Sequence, residues 1–136
     1  MLQGSGETDL GRMLASLDVS RRPGTWVYAS VADWQTASAL PGVAAVVAEA
    51  EGVTAVVPAA SAEASGLEAS FSAAWLSLEI HSSLEAVGLT AAVSTALAEE
   101  GISCNVLAGT FHDHLLVPVD QADDAIAVLE RLRDLA

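Results

Sequence analysis

The residues best equipped for chemistry lie between His81 and His114. His81, Ser82 and Ser83 end a run of alternating character (Trp75, Leu76, Ser77, Leu78, Glu79, Ile80), and an apolar helical pattern follows at once. A strand that passes directly into a helix gathers hydroxyls and unpaired helix-start amides in one turn. That suits a small anionic or zwitterionic ligand. Gly88 would let such a ligand approach the backbone closely. The competing reading is a plain cap, in which Ser83 closes the helix start and Glu85 favours its first turn.

His112-Asp113-His114 is the second constellation. Residues i and i+2 of a strand share a face, so both imidazoles could meet one metal ion, with His81 as a third ligand. The His-x-His pattern is short, however, and Cys104 has no second thiol in the chain. Hydrogen bonding at a sheet edge, or a pH-sensitive ligand contact, is therefore favoured, and no metal or cofactor is assigned. Ser82 or Ser83 with His81 and Asp113 could be drawn as a hydrolase triad, but no G-x-S-x-G elbow accompanies them. No phosphate-binding glycine motif is present. No catalytic residue is assigned, and the chain reads as a non-enzyme.

Composition bounds the partners. The 136 residues fit one domain or two small units sharing a core. Hydrophobic residues make up 52% and aromatics only 4%, so small aliphatic side chains build that core. The net charge is −13, and the five basic residues are all arginine. Such a chain repels phosphate backbones and anionic headgroups, which argues against nucleic acid and membrane surfaces as partners. The single cysteine rules out an internal disulfide. There is no basic-then-apolar leader and no run near the ~18 apolar residues that span a bilayer. A cytoplasmic location is expected.

The elements that position these residues follow from periodicity. Ser5 to Leu17 reads as a short helix with Leu10, Met13, Leu14 and Leu17 on one face. Thr25 to Val31 reads as a strand and Ala32 to Gly42 as a loop. Val43–Ala48 and Val53–Val57 read as a hairpin ended by Pro58, and Ser61 to Leu67 as a short helix capped by Ser61. Ala73 to Ile80 is a strand. Val87 to Glu100 is a helix with Gly101 beyond its end. Ile102–Ala108 and Phe111–Val119 are paired strands, with Cys104 as a small core residue. Asp120 is placed to cap a last helix, Gln121 to Leu135, with Asp123 and Asp124 at its start and Arg131 and Arg133 at its end. Trp26, Trp34 and Trp75 read as core or interface anchors, with Trp34, in a loop, the one of them placed to cover a ligand. The two halves look like a weak internal repeat, the first with its crossover helix reduced to a loop. The order matches a split β-α-β layout with helices on one sheet face.

These residues carry a family resemblance. SLEIHSSLEAVGLTAAVSTALAEEGISCNVLAGTFHDHLLVPV resembles an ACT domain of a tandem bacterial type. Within it, VGLTAAVSTALAEEGISCNVLAG has the general ACT pattern of glycine at the helix start, apolar helix, glycine, isoleucine and a polar-apolar strand. GETDL (Gly6–Leu10) and EAEGVTAVVP (Glu49–Pro58) resemble the N-terminal half of the same family. The resemblance implies an α+β fold of ferredoxin-like βαββαβ units in tandem, with an antiparallel sheet and helices on one face. It divides the chain into a degenerate N-terminal unit with a leading helix, residues 1–70, and a C-terminal ACT domain, residues 71–136.

By the same resemblance, the expected function is a non-enzymatic regulatory module that binds an amino acid or similar small ligand at an ACT interface. The alternative is a ligand-free structural or protein-interaction domain. The ligand would lie beside the loop from first strand to first helix, which on this chain gives Ser82, Ser83, Glu85, Val87 and Gly88, with Asn105 on the next strand. HDHLLVP resembles the strand-turn that lines the ligand in ACT-type arginine sensors, which adds His112, Asp113 and His114. Asp113 would face the amino group. A homodimer formed through sheet or helix pairing is expected.

Overall fold

The computed structural model describes residues 9–80 and 87–136. In chain order the elements are α1 (Leu10–Ala15), β1 (Val19–Val31), α2 (Trp34–Ser38), β2 (Ala45–Glu49), β3 (Gly52–Pro58), α3 (Ala59–Ala64), β4 (Ala69–Leu78), α4 (Leu89–Glu99), β5 (Asn105–Ala108), β6 (Asp113–Pro118) and α5 (Ala122–Asp134). Two compact units emerge. One is Pro23–Ala74, and the other joins the chain up to Arg22 with Trp75–Ala136. Both boundaries fall inside long strands, so β1 and β4 each contribute to both units. Residues 70 and 71 also lie within β4.

In the Pro23–Ala74 unit the chain runs β-α-β-β-α-β, and the strand order is β2-β3-β1-β4. Alternation makes its core. Val27, Ala29 and Val31 of β1 pair antiparallel with Val57, Ala55 and Val53 of β3, and all six are buried. Ala37 and Leu40 from the α2 region and Ala62 of α3 complete this core, largely with small side chains. The expected hairpin is present. Glu49 pairs with Gly52, leaving a two-residue turn, and the Thr54 hydroxyl donates to the Glu49 carboxylate across it.

Two expectations for this unit need correction. The segment Ala32 to Gly42 is not wholly a loop, because Asp33 accepts the Thr36 backbone N–H at 2.8 Å and starts a five-residue helix. The first unit therefore keeps a short crossover helix. Ser61 is not a cap either. Pro58 occupies the N-cap position of α3, and Ser61 is buried inside the helix.

In the second unit the strand order is β1-β4-β6-β5, so the opening residues of β1 lie beside β4. Leu76, Leu78, Leu115 and Val117 are fully buried, as are Val93 and Leu97 of α4 and Ala125 and Leu129 of α5. A fully buried Val or Leu side chain contributes roughly 1.5–3 kcal/mol. The helix α4 ends as its sequence predicts. Gly101 adopts φ 70°, and its N–H donates to Ala98 O at 2.9 Å while the Ile102 N–H donates to Leu97 O at 3.0 Å. This pair of bonds is the Schellman arrangement that a left-handed C′ glycine permits.

In the same unit, Met13 and Leu17 are buried, and Asp9 caps α1 through the Arg12 N–H at 2.9 Å. Residues 5–8 of the expected first helix lie outside the described residues. Asp120 falls in a 3-10 turn, Val119–Gln121, instead of capping α5. The N-cap position is held by Gln121, without a side-chain bond. The expected charges do sit at the two ends of α5, acidic first and basic last. Cys104 precedes β5 and is half-buried, and burial pushes its thiol up to about 11, so it is no thiolate near neutral pH. Trp26 and Trp75 are core residues as expected, whereas Trp34 is 53% exposed. Among the described residues no helix is long and apolar enough to cross a membrane.

Candidate functional site

The second unit carries one concentrated polar surface, and strand alternation builds it. Along β4 and the residue that follows it, Leu76 and Leu78 point to one face while Trp75, Ser77 and Glu79 point to the other. His114 of β6 meets this second row: its Nδ1 lies 2.8 Å from Ser77 Oγ and 3.3 Å from Trp75 Nε1. The Trp75 and His114 rings are 5.3 Å apart, tilted by 51°. From β1, the Arg22 guanidinium lies over the Trp75 ring at 4.1 Å, and the Ser20 hydroxyl donates to Glu79 Oε1. His112 completes the row, with Nε2 3.7 Å from Glu79 Oε2 and its ring 6.5 Å from that of His114.

The electrostatics of this row are asymmetric. Burial holds the His114 imidazole below its ordinary value, and the charge of Arg22 and the neighbouring His112 push it the same way. Asp113 and Glu79 oppose them only in part. His114 is thus a neutral ring near pH 7. His112 is different in kind, for one of its ring nitrogens, Nδ1, is buried and makes no hydrogen bond among the described residues. A half-exposed carboxylate and an unpaired imidazole nitrogen therefore sit together, within one unit that also holds the Arg22 guanidinium.

The α4 start lies in the same unit. Gly88 is its N-cap, with φ 103°, and no side chain caps the helix there. A Cβ at position 88 would come within 3.0 Å of the Leu10 side chain. Glycine is thus required twice, by backbone conformation and by the approach of α1. Val87 beside it is 82% exposed.

The expected ligand residues fall into three groups. Ser82, Ser83 and Glu85, with His81, lie outside the described residues. His112 and His114 are brought together, beside Glu79 and Ser77. Asn105 is exposed at the start of β5, opposite Leu116. Since Leu107 pairs with His114, alternation puts Asn105 on the His114 side of the sheet. Asp113 pairs with Ala108 and by the same alternation belongs to the other side. Sequence reasoning missed Ser20, Arg22, Ser77 and Glu79. The period of two in Trp75-Leu-Ser77-Leu-Glu79 was a usable signal for the β4 pair, since its polar row must face away from the helices. Nothing in the sequence pointed to Ser20 and Arg22, because they reach the site only through the strand order.

Family models described as ACT domain match residues 5–74 and residues 70–131. The chain belongs to the ACT-domain family. It carries two such domains in tandem, as ferredoxin-like units with an antiparallel sheet. Among solved structures it is similar to a Vibrio cholerae protein of unknown function, described as a possible transport protein. The two are 38% identical, over 91% of this chain and 95% of the other, with a TM-score of 0.83. It is similar in fold to the aspartate kinase of Clostridium acetobutylicum (11% identity, 96% of this chain, 36% of the enzyme, TM-score 0.68). The regulatory subunit of aspartate kinase from Thermus flavus also shares the fold (13% identity, 84% of this chain, 95% of the subunit, TM-score 0.59). No curated protein matches the chain.

Proposed function

We propose that this tandem ACT protein is a non-enzymatic regulatory module whose ligand is an amino acid or similar small zwitterion. The observation that carries the reading is the pair formed by Glu79 and His112. The Glu79 carboxylate is half-exposed, with the His112 ring 3.7 Å away and the Ser20 hydroxyl donating to it. A half-exposed carboxylate with free acceptor capacity suits a donor with several hydrogens and a positive charge, which describes an ammonium group. Arg22 and the Val87–Gly88 start of α4 supply the complementary end for a carboxylate, and Ser82, Ser83 and Glu85 join the proposed site on the family resemblance alone. Asn105 offers a side-chain amide to either end, and His114 packs the site from beneath. Asp113 acts through its field on His114.

ACT-family membership supports a regulatory ligand-binding role. We place the protein in the cytoplasm, as a homodimer formed through sheet or helix pairing. The test is a thermal-shift panel of single amino acids. A ligand that binds only the folded state at about a hundred times its Kd adds about 2.7 kcal/mol of stability. At least one amino acid should therefore raise the melting temperature by several degrees, and Glu79→Gln should abolish that rise. A panel without any shift at millimolar concentration would overturn the proposal in favour of a ligand-free interaction domain.

A further inference from the structure

The Pro23–Ala74 unit has a polar recess of its own, built from different residues. It is an open surface recess of about 500 Å³ between the end of β1 and the start of β4, lined by Tyr28, Ser30, Glu68, Ala69 and Ser70, all but Tyr28 exposed. Its chemistry is one-sided. The lining offers a carboxylate, three hydroxyls and an aromatic ring, and no basic group. Tyr28 and Ser30 alternate with the core residues Val27, Ala29 and Val31, so the face they occupy is the one turned away from that core.

A second observation bears on the same place. Phe71, directly after Ser70, has φ 58°, the one non-glycine residue with positive φ among the described residues. A bulky side chain in that conformation costs on the order of 1–3 kcal/mol, and such strain persists where the surroundings enforce it, often at ligand clamps. Here the ring of Phe71 packs against Tyr28, centroids 6.1 Å apart and planes tilted by 54°. The kink thus fixes the aromatic wall of the recess and sets the chain direction of Glu68, Ala69 and Ser70 at once.

We infer that this recess is a second binding site, for a small organic cation with an alkyl ammonium or guanidinium group. The Glu68 carboxylate pairs with the charge, the hydroxyls of Tyr28, Ser30 and Ser70 accept the remaining N–H hydrogens, and the Tyr28 ring covers the alkyl stem. Anions are rejected, because the lining has no cation and the chain carries a net charge of −13. The site shares no residue with the Glu79–His112 row and does not depend on it.

Calorimetric titration of the full chain with putrescine tests the inference. Saturable binding is expected, weakened about tenfold or more by Glu68→Gln, since removing one partner of a charge pair typically costs at least that factor. Glu63→Gln removes the same unit of charge from α3 without touching the recess, and it should leave binding within about twofold of the parent. The neutral isostere 1,4-butanediol should not bind. Flat traces with putrescine would overturn the inference. So would equal weakening by the two glutamate variants, which would mean a diffuse charge effect. Glu68 is exposed, so Glu68→Gln leaves the fold intact.

Discussion

Trp75 Nε1 lies 3.3 Å from Nδ1 of His114, and an indole nitrogen can only donate. Nδ1 is therefore the acceptor, the neutral ring carries its proton on Nε2, and the Ser77 hydroxyl at 2.8 Å donates to the same Nδ1. Protonating Nδ1 would set one donor against another, beside the Arg22 charge and in a partly buried setting. This agrees with a folded-state value below the ordinary 6.5. The linkage has a definite sign. The unfolded chain takes up this proton first, so the contribution of His114 is complete above about 6.5 and is lost as pH falls from there toward its lower folded value. Melting temperatures measured from about pH 7.5 down to about pH 5 should decline below about 6.5. His114→Gln, which keeps an acceptor for Trp75, should decline less steeply. A variant with the slope of the parent would contradict this account of the ring.

Gly88 and Asp33 show how far single elements were legible. The α4 helix, its Leu89, Val93 and Leu97 face and the Gly101 stop were readable, because period and C′ residue agree over eleven residues, whereas the sequence starts the helix at Val87 and the structure makes Gly88 its N-cap. The α2 helix was not. Five residues are too few to show a period, Pro41-Gly42 follows closely, and only Asp33 three residues before Thr36 marks the start. Ser61 and Asp120 misled for a related reason: each is a good cap in composition, but Pro58 and the 3-10 turn leave each helix to start at another residue. A direct check at this scale is Gly88→Ala. A side chain there must hold φ 103° and press on Leu10 at 3.0 Å, so the substitution should cost about 1–3 kcal/mol. Adding Leu10→Ala removes the contact but not the backbone strain, and should recover only part of the loss in chemical denaturation. An unchanged denaturation midpoint for Gly88→Ala would mean that the turn before α4 is not built as described.

Across the whole molecule, the repeat is clearest in two seven-residue stretches, TWVYASV from Thr25 to Val31 at the end of β1 and AWLSLEI from Ala74 to Ile80 at the end of β4 and just beyond. Each puts a buried tryptophan, Trp26 or Trp75, at the same step, and each alternates core residues with a polar row. That row is Tyr28 and Ser30 in one unit and Ser77 and Glu79 in the other, so one strand plan places both proposed sites. The fold class and the tandem arrangement were legible because hydrophobic alternation and turn residues repeat through the chain. The composition of the site was less so. Glu79 gains its meaning from Ser20 and His112, 59 residues before it and 33 after it in the chain, and only the order β1-β4-β6-β5 joins them. Amide chemical-shift mapping of the isotopically labelled chain, titrated with each amino acid in turn, tests the central claim most directly. An amino acid should shift the resonances of Glu79, His112, His114 and Gly88 in a saturable way. Saturable shifts confined to other residues, or none with any amino acid, would contradict it.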